Sequence, residues 1–398
     1  MDRRLIVLAA GMFAIGTDSF VIAGILPEVA SSLGVSIGVA GQMVTLYALS
    51  YALLSPVIAA TAGHWPRKRL MLAGLAVFVV GNLVTAVAPT IEWVLLSRLV
   101  AGLGAAMFSP TATATGASLV PPEKRASALA IVIAGLSTAT ALGSPLGTFI
   151  GGLGDWRTTM WFVTIVGLVS WVAVYVMLPS IPPLPAVSLR QRLAPLNDSR
   201  ITLTLLTTLV AFAGLFAVYT YIGVAFERVT DGRPNVLAGL LLLWGFAATA
   251  GNLAAGKLTD RYGSRPVIIG ALAIAAINFA LLPWTSAHLW SAAFAIVAWG
   301  VCGWGLLVPQ QHRLITLSPG AAPLLLGLNS AALYVGVSAS GVIGAAAIDL
   351  FDRHQLGYVG AALVAVSFVI AEQAYRLIRK DRKSDARLAN AAIVQNQV

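Results

Sequence analysis

Two ionisable side chains interrupt long apolar stretches of this sequence, and both could take part in chemistry. Asp18 lies near the middle of the first stretch and is the only acidic residue that we place deep in an apolar segment. A carboxylate at the centre of a bilayer is costly, so it usually faces a cavity or a partner. We expect Asp18 to take up and release protons or to bind substrate. The structural alternative is a neutral carboxyl group that hydrogen-bonds a neighbouring helix.

Arg98 is the only cation that the sequence places inside an apolar stretch. Arg98, Gly102, Ala105 and Ser109 share one helical face by their spacing. Small residues on that face let another helix or water come close. A buried guanidinium group needs an acceptor, and Asp18 or backbone carbonyl groups are the candidates. We expect Arg98 to take part in proton coupling, with a static structural pair as the alternative.

A row of small residues marks the fifth apolar stretch. It consists of Gly135, Ala139, Gly143, Gly147 and Gly151, at every fourth position, with Pro145 inside the row. Such a row favours close helix packing, and a proline within a helix frees a carbonyl group and can bend the helix. We predict a packing seam that also serves as a sliding or hinge surface between two halves of the molecule.

Membrane-spanning helices must position these groups. The chain has 398 residues, of which 58% are hydrophobic and only 10% are charged, far less charge than a soluble protein of this size carries. Each apolar stretch of about 20 residues can cross about 30 Å of hydrocarbon as a helix, and the alternating pattern of a membrane barrel is missing. We predict an all-α membrane protein with twelve transmembrane helices. The spans are 5–26, 40–62, 70–88, 92–118, 127–152, 158–179, 201–226, 236–257, 266–284, 288–311, 323–349 and 356–378.

One shift in numbering relates the two halves of the chain. A shift of 197 residues takes Arg3 to Arg200 and Asp155 to Asp352. It also takes the small-residue row of the fifth span onto small residues of the eleventh. This offset implies an internal duplication. We predict two pseudo-symmetric six-helix bundles, at 1–179 and 201–378, with a linker at 180–200 and a disordered tail at 379–398. The linker is either a short interfacial helix or flexible.

The cations indicate the orientation of the chain. With a cytoplasmic N-terminus, 20 of the 25 Lys and Arg residues lie in inner segments and four in outer loops. The positive-inside rule therefore predicts that both termini are cytoplasmic. The net charge of +10 follows from this topology, so we expect the lipid bilayer as a partner and no nucleic acid.

The sequence lacks the residues that a disulfide, a metal site or a nucleotide-binding site would need. The single cysteine, Cys302, excludes an internal disulfide and any multi-cysteine metal site. The four histidines are scattered near loops, and no sequence resembles a nucleotide-binding loop. We expect no metal, no cofactor and no enzymatic activity, and a monomeric protein.

A charged turn between the eighth and ninth spans carries a family resemblance. Gly256, Asp260, Arg261, Gly263 and Arg265 fill every fixed position of a pattern that resembles the loop signature of the major facilitator superfamily. That resemblance implies two six-helix bundles that rock around a midplane cavity, and it makes this turn a conformational loop. The equivalent turn of the first half is degenerate, since Gly63 and His64 replace the acidic and basic residues.

Two further motifs resemble exporters of this superfamily. The segment from Gly143 to Gly147, with Pro145 and Gly151, looks like the fifth-span signature of the twelve-span drug:proton antiporter family. The first span around Asp18 is similar to the sugar-efflux (arabinose efflux permease-like) and chloramphenicol-exporter branch, although that branch usually has Glu there. The resemblance implies export of a small, partly apolar compound in exchange for protons at a bacterial inner membrane. Alternatives are an importer or facilitator for a sugar or nucleoside, and a membrane sensor without transport.

The resemblance also implies a substrate cavity lined by aromatic and amide side chains. The candidates are Phe20, Tyr47, Tyr51, Tyr219, Tyr221, Trp244, Asn252, Trp304, Asn329 and Tyr334. Asn278 lies on an outer span in this fold and is left out.

The predicted orientation can be tested by labelling. Single cysteines at Arg3, Lys124, Arg192 or Lys380, in a background without the native cysteine, should resist an impermeant thiol reagent in intact cells. A cysteine at Arg157, in a predicted outer loop, should react and serves as the positive control. Labelling of several of the first four positions from outside would reverse the topology.

Overall fold

The computed structural model describes the backbone of residues 2–62, 64–121, 124–183 and 188–395, and their side chains except at residue 126 and beyond residue 381. These ranges form helices and contain no strand. We number the spans α1 Arg3–Leu33, α2 Ile37–Thr61, α3 Arg67–Val87, α4 Ile91–Ser118, α5 Arg125–Thr138 with Ala139–Gly143 and Ser144–Gly151, α6 Trp156–Met177, α7 Ser199–Thr220, α8 Pro234–Tyr262, α9 Ser264–Ala280, α10 Leu289–Gly305 with Leu307–Leu317, α11 Ala322–Leu350 and α12 Leu356–Gln395.

The spans agree with the sequence in number and order. In the described chain, eleven helices are long and apolar enough to cross a membrane, and α9 is a shorter apolar helix. The helix of α9 breaks at Leu281, and a short turn, Leu282–Thr285, completes the predicted ninth span. Because the number of spans is even, both termini lie on one side, which we call the terminal face. The other side is the opposite face.

Helix caps repeat between the halves at the predicted offset. Asp155 accepts a hydrogen bond from the backbone N–H of Arg157 at the start of α6. Asp352, 197 residues later, accepts one from the N–H of His354 just before α12. An acidic side chain at a helix start satisfies a free N–H group and complements the helix dipole. The duplication therefore preserves the local geometry that begins the last helix of each bundle.

The packing within each half repeats in the same way. In the first half α1 packs against α5, and α3 packs against both α4 and α6. In the second half α7 packs against α11, and α9 packs against both α10 and α12. The halves meet where α2 packs on α11 and where α5 packs on α8. The protein therefore consists of two pseudo-symmetric six-helix bundles.

The glycine row of α5 packs against α1, inside the first half. A Cβ atom added at Gly135 would overlap the backbone of Ala9, and one at Gly143 would overlap Thr17. Further along, Gly147 lies against Val21 in the same register. The row thus holds two parallel helices in close contact. The row does not form the surface between the halves that the sequence predicts. Periodicity identifies a face of a helix, but it does not show which helix packs against that face.

The other face of α5 meets the second half and is distorted. A π-helical turn, Ala139–Gly143, precedes Pro145, which lacks the N–H group that would continue the helical ladder. Gly245 of α8 lies against Thr140 and Ala141 in this turn. From there α8 stays close to the last segment of α5, and it has little contact with the first segment, Arg125–Thr138. Along α5 and α8, the two halves therefore separate toward the terminal face.

The linker and the tail are helical where they are described. Ser188 and Gln191 form a capping box for a short helix, Leu189–Leu193, and Arg192 donates a hydrogen bond to the Ala59 carbonyl at the end of α2. The sequence predicts a disordered tail after the last span, whereas the helix of α12 continues to Gln395.

Candidate functional site

Asp18 and Arg98 form a buried ion pair in the first half. Asp18 on α1 and Arg98 on α4 are both 0% exposed. Arg98 Nη1 donates to Asp18 Oδ1 at 2.8 Å, and Nη2 donates to Oδ2 at 3.1 Å. This two-pronged geometry is the strongest arrangement of a guanidinium with a carboxylate. The structure therefore brings together the two residues that the sequence offered as partners.

Asn82 of α3 contacts both members of this pair, and the sequence did not predict its role. Its amide oxygen accepts from Arg98 Nη1 at 3.2 Å, and its amide nitrogen lies 3.4 Å from Asp18 Oδ2. The same nitrogen donates to the Phe78 carbonyl at 3.1 Å. Asn82 thus ties the charges to α3. The only sequence indication is an amide within an apolar span.

Tyr47 of α2 covers the remaining side of Arg98. The centre of its ring lies 4.7 Å from the guanidinium carbon, which places a cation on the face of an aromatic ring. Ser19, next to Asp18, donates to the Tyr47 hydroxyl oxygen at 3.2 Å. Helices α1 to α4 each contribute a group, so a movement of any one of them changes the surroundings of the charged pair.

The second half has no equivalent charge cluster. The offset of 197 residues carries Asp18, Asn82 and Arg98 onto Leu215, Phe279 and Ala295, which are all buried and apolar. Asn278, one position before Phe279, donates to the Ala295 carbonyl at 3.1 Å. The amide at this helix contact is therefore satisfied by the backbone, in agreement with the view that Asn278 lies away from the cavity.

Phe20 inserts into an aromatic cluster of the second half. Its ring centre lies 5.8 to 6.4 Å from those of four side chains, Phe216, Tyr219, Trp244 and Trp304. The Tyr219 hydroxyl group donates to the Phe20 carbonyl at 3.2 Å. Phe20 is two residues from Asp18 on α1. One helix therefore carries both the acidic residue and an aromatic contact between the halves.

The other candidates for the cavity lie in different surroundings. Tyr51 stacks on Tyr334 across the halves, with ring centres 4.0 Å apart. The Tyr221 hydroxyl group donates to the Gly341 carbonyl at 2.6 Å, and Asn329 accepts from Thr208 at 2.8 Å inside the second half. Tyr221 and Asn329 thus each have a hydrogen bond within the second half.

Asn252 and Trp304 border a small cavity between α5 and α8. Ser137, Thr140 and Thr249 complete much of its wall, and its volume is about 10 Å³, close to the lower limit for one water molecule. A larger cavity of about 620 Å³ lies at the opposite face, where Glu28, Arg233 and Asp352 are among the lining residues. The aromatic cluster itself is closely packed in this conformation.

The conformational loop lies at the terminal face. Gly263 has φ 82°, a left-handed conformation that glycine adopts at little cost, and it ends α8. Asp260 is exposed, and its carboxylate has no hydrogen bond or ion pair in the part of the chain that the structure describes. Arg265 instead binds Glu372 of α12 at 2.8 Å. The corresponding Gly63 lies outside the described residues.

A family profile for the Major Facilitator Superfamily matches residues 8–340. The chain belongs to this superfamily. Its members are membrane transporters, so this major facilitator protein is a multi-pass transporter of a small molecule within the lipid bilayer.

Curated relatives of this major facilitator protein match nearly its whole length. YdhP, an inner membrane transport protein of Escherichia coli (strain K12), is 29% identical over 92% of this chain and 94% of its own. The uncharacterized MFS-type transporter YbcL of Bacillus subtilis (strain 168) is 27% identical, again over 92% and 94%. A chloramphenicol resistance protein of Streptomyces lividans is 29% identical over 93% of this chain and 96% of its own.

Solved structures share the fold. The bacterial homolog of the human lysosomal transporter Spinster, in an inward-facing and occupied conformation, has a TM-score of 0.75 at 17% identity, over 95% of this chain and 97% of its own. A mutant form of the nucleoside transporter NupG has a TM-score of 0.77 at 11% identity, over 94% and 99%. At these identities the likeness concerns the fold alone, and it confirms the predicted major facilitator architecture.

The buried pair predicts a specific pattern of stability. Arg98→Gln should lower stability by about 3–5 kcal/mol, because Asp18 is left as an uncompensated buried charge. Adding Asp18→Asn should restore most of that loss, since no unpaired charge remains. Thermal unfolding of the purified protein in one detergent measures both effects.

The exposed pair of Glu227 and Arg353, at 2.7 Å, supplies the matched control. Arg353→Gln should cost at most about 1 kcal/mol, because solvent screens an exposed ion pair. A double variant of Asp18 and Arg98 that unfolds at the same temperature as Arg98→Gln would contradict the predicted coupling.

Proposed function

We propose that this protein exports a small, partly apolar compound in exchange for protons, with Asp18 as the proton-carrying group. The observation that carries the proposal is the fully buried pair of Asp18 and Arg98, held by Asn82 next to the interface of the two halves. Ionisable groups within a membrane are costly and typically mark ion or substrate pathways. The chloramphenicol resistance relative supports export of a drug-like compound, and the resemblance of the first span to sugar-efflux proteins supports a sugar-like one.

Protonation of Asp18 is the step that drives the change. It removes the negative charge that Arg98 binds in two hydrogen bonds, so the guanidinium group loses its counter-ion in a dry environment. A rearrangement that brings Arg98 toward water or toward another acceptor then lowers the free energy. Asn82 and Tyr47 stay in contact with Arg98 and hold it in place until α1 moves.

Phe20 provides the connection from this step to the interface of the halves. Because Phe20 and Asp18 lie two residues apart on one rigid helix, a shift of α1 displaces the aromatic contact together with the carboxyl group. Loss of the contacts between Phe20 and the aromatic cluster then weakens the packing of the two halves against each other. Exposed to water, the same cluster of rings is an apolar surface for a partly apolar compound.

The topology that we propose relates this conformation to the two sides of the membrane. With both termini cytoplasmic, the separation of α5 from α8 toward the terminal face corresponds to an inward-facing conformation. A compound enters from the cytoplasm, and a proton enters from the outside when the carrier has turned outward. The transmembrane potential contributes about 2.3 kcal/mol per charge per 100 mV to this exchange.

The conformational loop closes the terminal face in this proposal. Gly152 contacts Pro234, and Ala141 contacts Gly245, so α5 and α8 run antiparallel in a constant register. Fifteen residues further, this register brings Asp260 opposite the first turn of α5. That turn begins at Arg125 and has no acidic residue and no side-chain cap. Its free N–H groups and the Arg125 side chain would bind the Asp260 carboxylate once the helices close.

Transport by Asp18→Asn tests the proton-carrying role. The substitution keeps the size of the side chain but cannot ionise, and its amide oxygen accepts only one of the two hydrogen bonds from Arg98. It should abolish uphill accumulation driven by a proton gradient in proteoliposomes, whereas downhill exchange of a neutral substrate needs no change in protonation and should survive, with rates normalised to inserted protein. A thermal-stability screen of drug-like and sugar-like compounds, chloramphenicol included, supplies the substrate.

Glu92→Gln, at an exposed carboxyl group on α4, is the matched control and should transport like the wild type. Accumulation by Asp18→Asn at the wild-type level and with the same pH dependence would remove Asp18 from the mechanism. Uptake that follows the proton gradient inward, with the wild-type protein in known orientation, would favour the importer over the exporter.

A second experiment tests the asymmetry of the two loops. Asp260→Asn should impair transport more than His64→Ala, because only the second-half loop has a carboxylate that can reach the start of α5. Arg125→Gln should show part of the same defect. Transport rates are normalised to the protein inserted in the membrane, and equal, negligible effects of all three changes would leave the loop as a tight turn only.

A further inference from the structure

A cluster of charged side chains lies between α9, α10 and α12 near the terminal face. Arg265 of α9 binds both carboxylate oxygens of Glu372 on α12, at 2.8 and 3.2 Å. The guanidinium carbon of Arg265 also lies 4.2 Å from the centre of the Tyr375 ring. Arg376, one helical turn after Glu372, lies 3.8 Å from the same carboxylate. This contact is longer than a hydrogen bond, so Glu372 is engaged mainly by Arg265.

Arg313 of α10 is buried beside this cluster with an unused donor. It is 4% exposed, and its Nη1 atom donates to the Ala371 carbonyl at a long 3.4 Å. Its Nη2 atom is buried and has no hydrogen-bond partner among the described residues. A buried guanidinium group without a counter-ion is unfavourable, so the geometry at Arg313 calls for an additional acceptor.

The charges of the cluster do not balance. Three guanidinium groups, Arg265, Arg313 and Arg376, surround the single carboxylate of Glu372, and Arg265 already occupies its two oxygens. The cluster therefore has a net charge of +2 at the end of the membrane-spanning segments. An anion placed between Arg313 and Arg376 would offset this excess.

The pseudo-symmetric place in the first half shows that the fold does not require these cations. The offset of 197 residues carries Arg265 onto Lys68 and Glu372 onto Tyr175. Lys68 donates to the Tyr175 carbonyl at 2.8 Å and lies over its ring, so one cation suffices to tie the two helices together. The counterpart of Arg313 is Gly116. The first half has its other cations, Arg67 and Arg69, at the positions of Ser264 and Pro266, so it is the buried guanidinium group of Arg313 that is particular to the second half.

We propose that the phosphate group of an anionic lipid binds at this cluster, between Arg313 and Arg376. Basic pockets between transmembrane helices at the level of the headgroups recognise anionic lipids, and guanidinium groups bind phosphate oxygens in pairs. The shared chemistry is a phosphate anion, which a lipid or free phosphate can supply. The position at the ends of three membrane helices favours the lipid.

Native mass spectrometry of the full-length protein tests this site. Phosphatidylglycerol should bind more tightly than phosphatidylcholine with the same acyl chains. Arg376→Gln should weaken phosphatidylglycerol binding about five-fold, the value of one cation near a membrane surface. Arg313→Gln should weaken it at least as much. Glu372→Gln should strengthen it, because it removes a competing carboxylate.

Lys68→Gln, at the pseudo-symmetric place, is the matched control: it removes one surface cation outside the cluster, so it should weaken phosphatidylglycerol binding less than either arginine change in the cluster. If Arg313→Gln does not fold, the changes at Arg376 and Glu372 decide the matter, because Arg376 is exposed and Glu372 is only partly buried. If inorganic phosphate displaces phosphatidylglycerol, the site recognises the phosphate group alone. If inorganic phosphate does not displace it, the site recognises the lipid. Equal phosphatidylglycerol affinity in the wild type and all three cluster variants would overturn the proposal.

Discussion

The first half of this transporter is arranged around one constraint: hydrocarbon supplies no counter-charge, so Asp18 and Arg98 must satisfy each other. Two hydrogen bonds of 2.8 and 3.1 Å require α1 and α4 to be close at one depth. Beside this contact, the glycine row of α5 lets α1 pack backbone to backbone against α5. Asn82 adds α3 to the ion pair, and Tyr47 adds α2. The pair therefore fixes the relative positions of four helices, and a change in its protonation acts on all of them.

The two halves share a scaffold but carry different groups at equivalent positions. The first half has charges where the second has Leu215, Phe279 and Ala295, and an aromatic cluster fills the centre of the second half. This division separates the proton-binding group from an apolar surface, and the side chain of Phe20 crosses between them. In the proposed mechanism, coupling needs no chain of polar groups from one half to the other, because α1 belongs to both sites.

The twelve spans could be predicted from the length of the apolar stretches. The pairing of Asp18 with Arg98 could be predicted as well, because a charge inside a membrane is so costly that it needs a partner. The role of Asn82 could not be predicted, since a neutral amide is cheap enough to serve packing alone, as Asn278 does. Periodicity identified the glycine face but could not show that it turns toward α1. Tyr221 and Asn329, which the sequence offers as cavity candidates, each have a hydrogen-bond partner close by that only the three-dimensional contacts reveal.

The free-energy cost of a charge inside the membrane also explains how the two halves differ. A single new charge within or at the edge of a span is destabilising until a partner arises. The differences between the halves accordingly occur in sets: Asp18, Asn82 and Arg98 in one half, and Arg265, Arg313, Glu372 and Arg376 in the other. In the first set the charges of Asp18 and Arg98 cancel, so this cluster needs no bound ion. In the second they do not, and an excess of positive charge at the headgroup level is tolerated when the membrane supplies the missing anion.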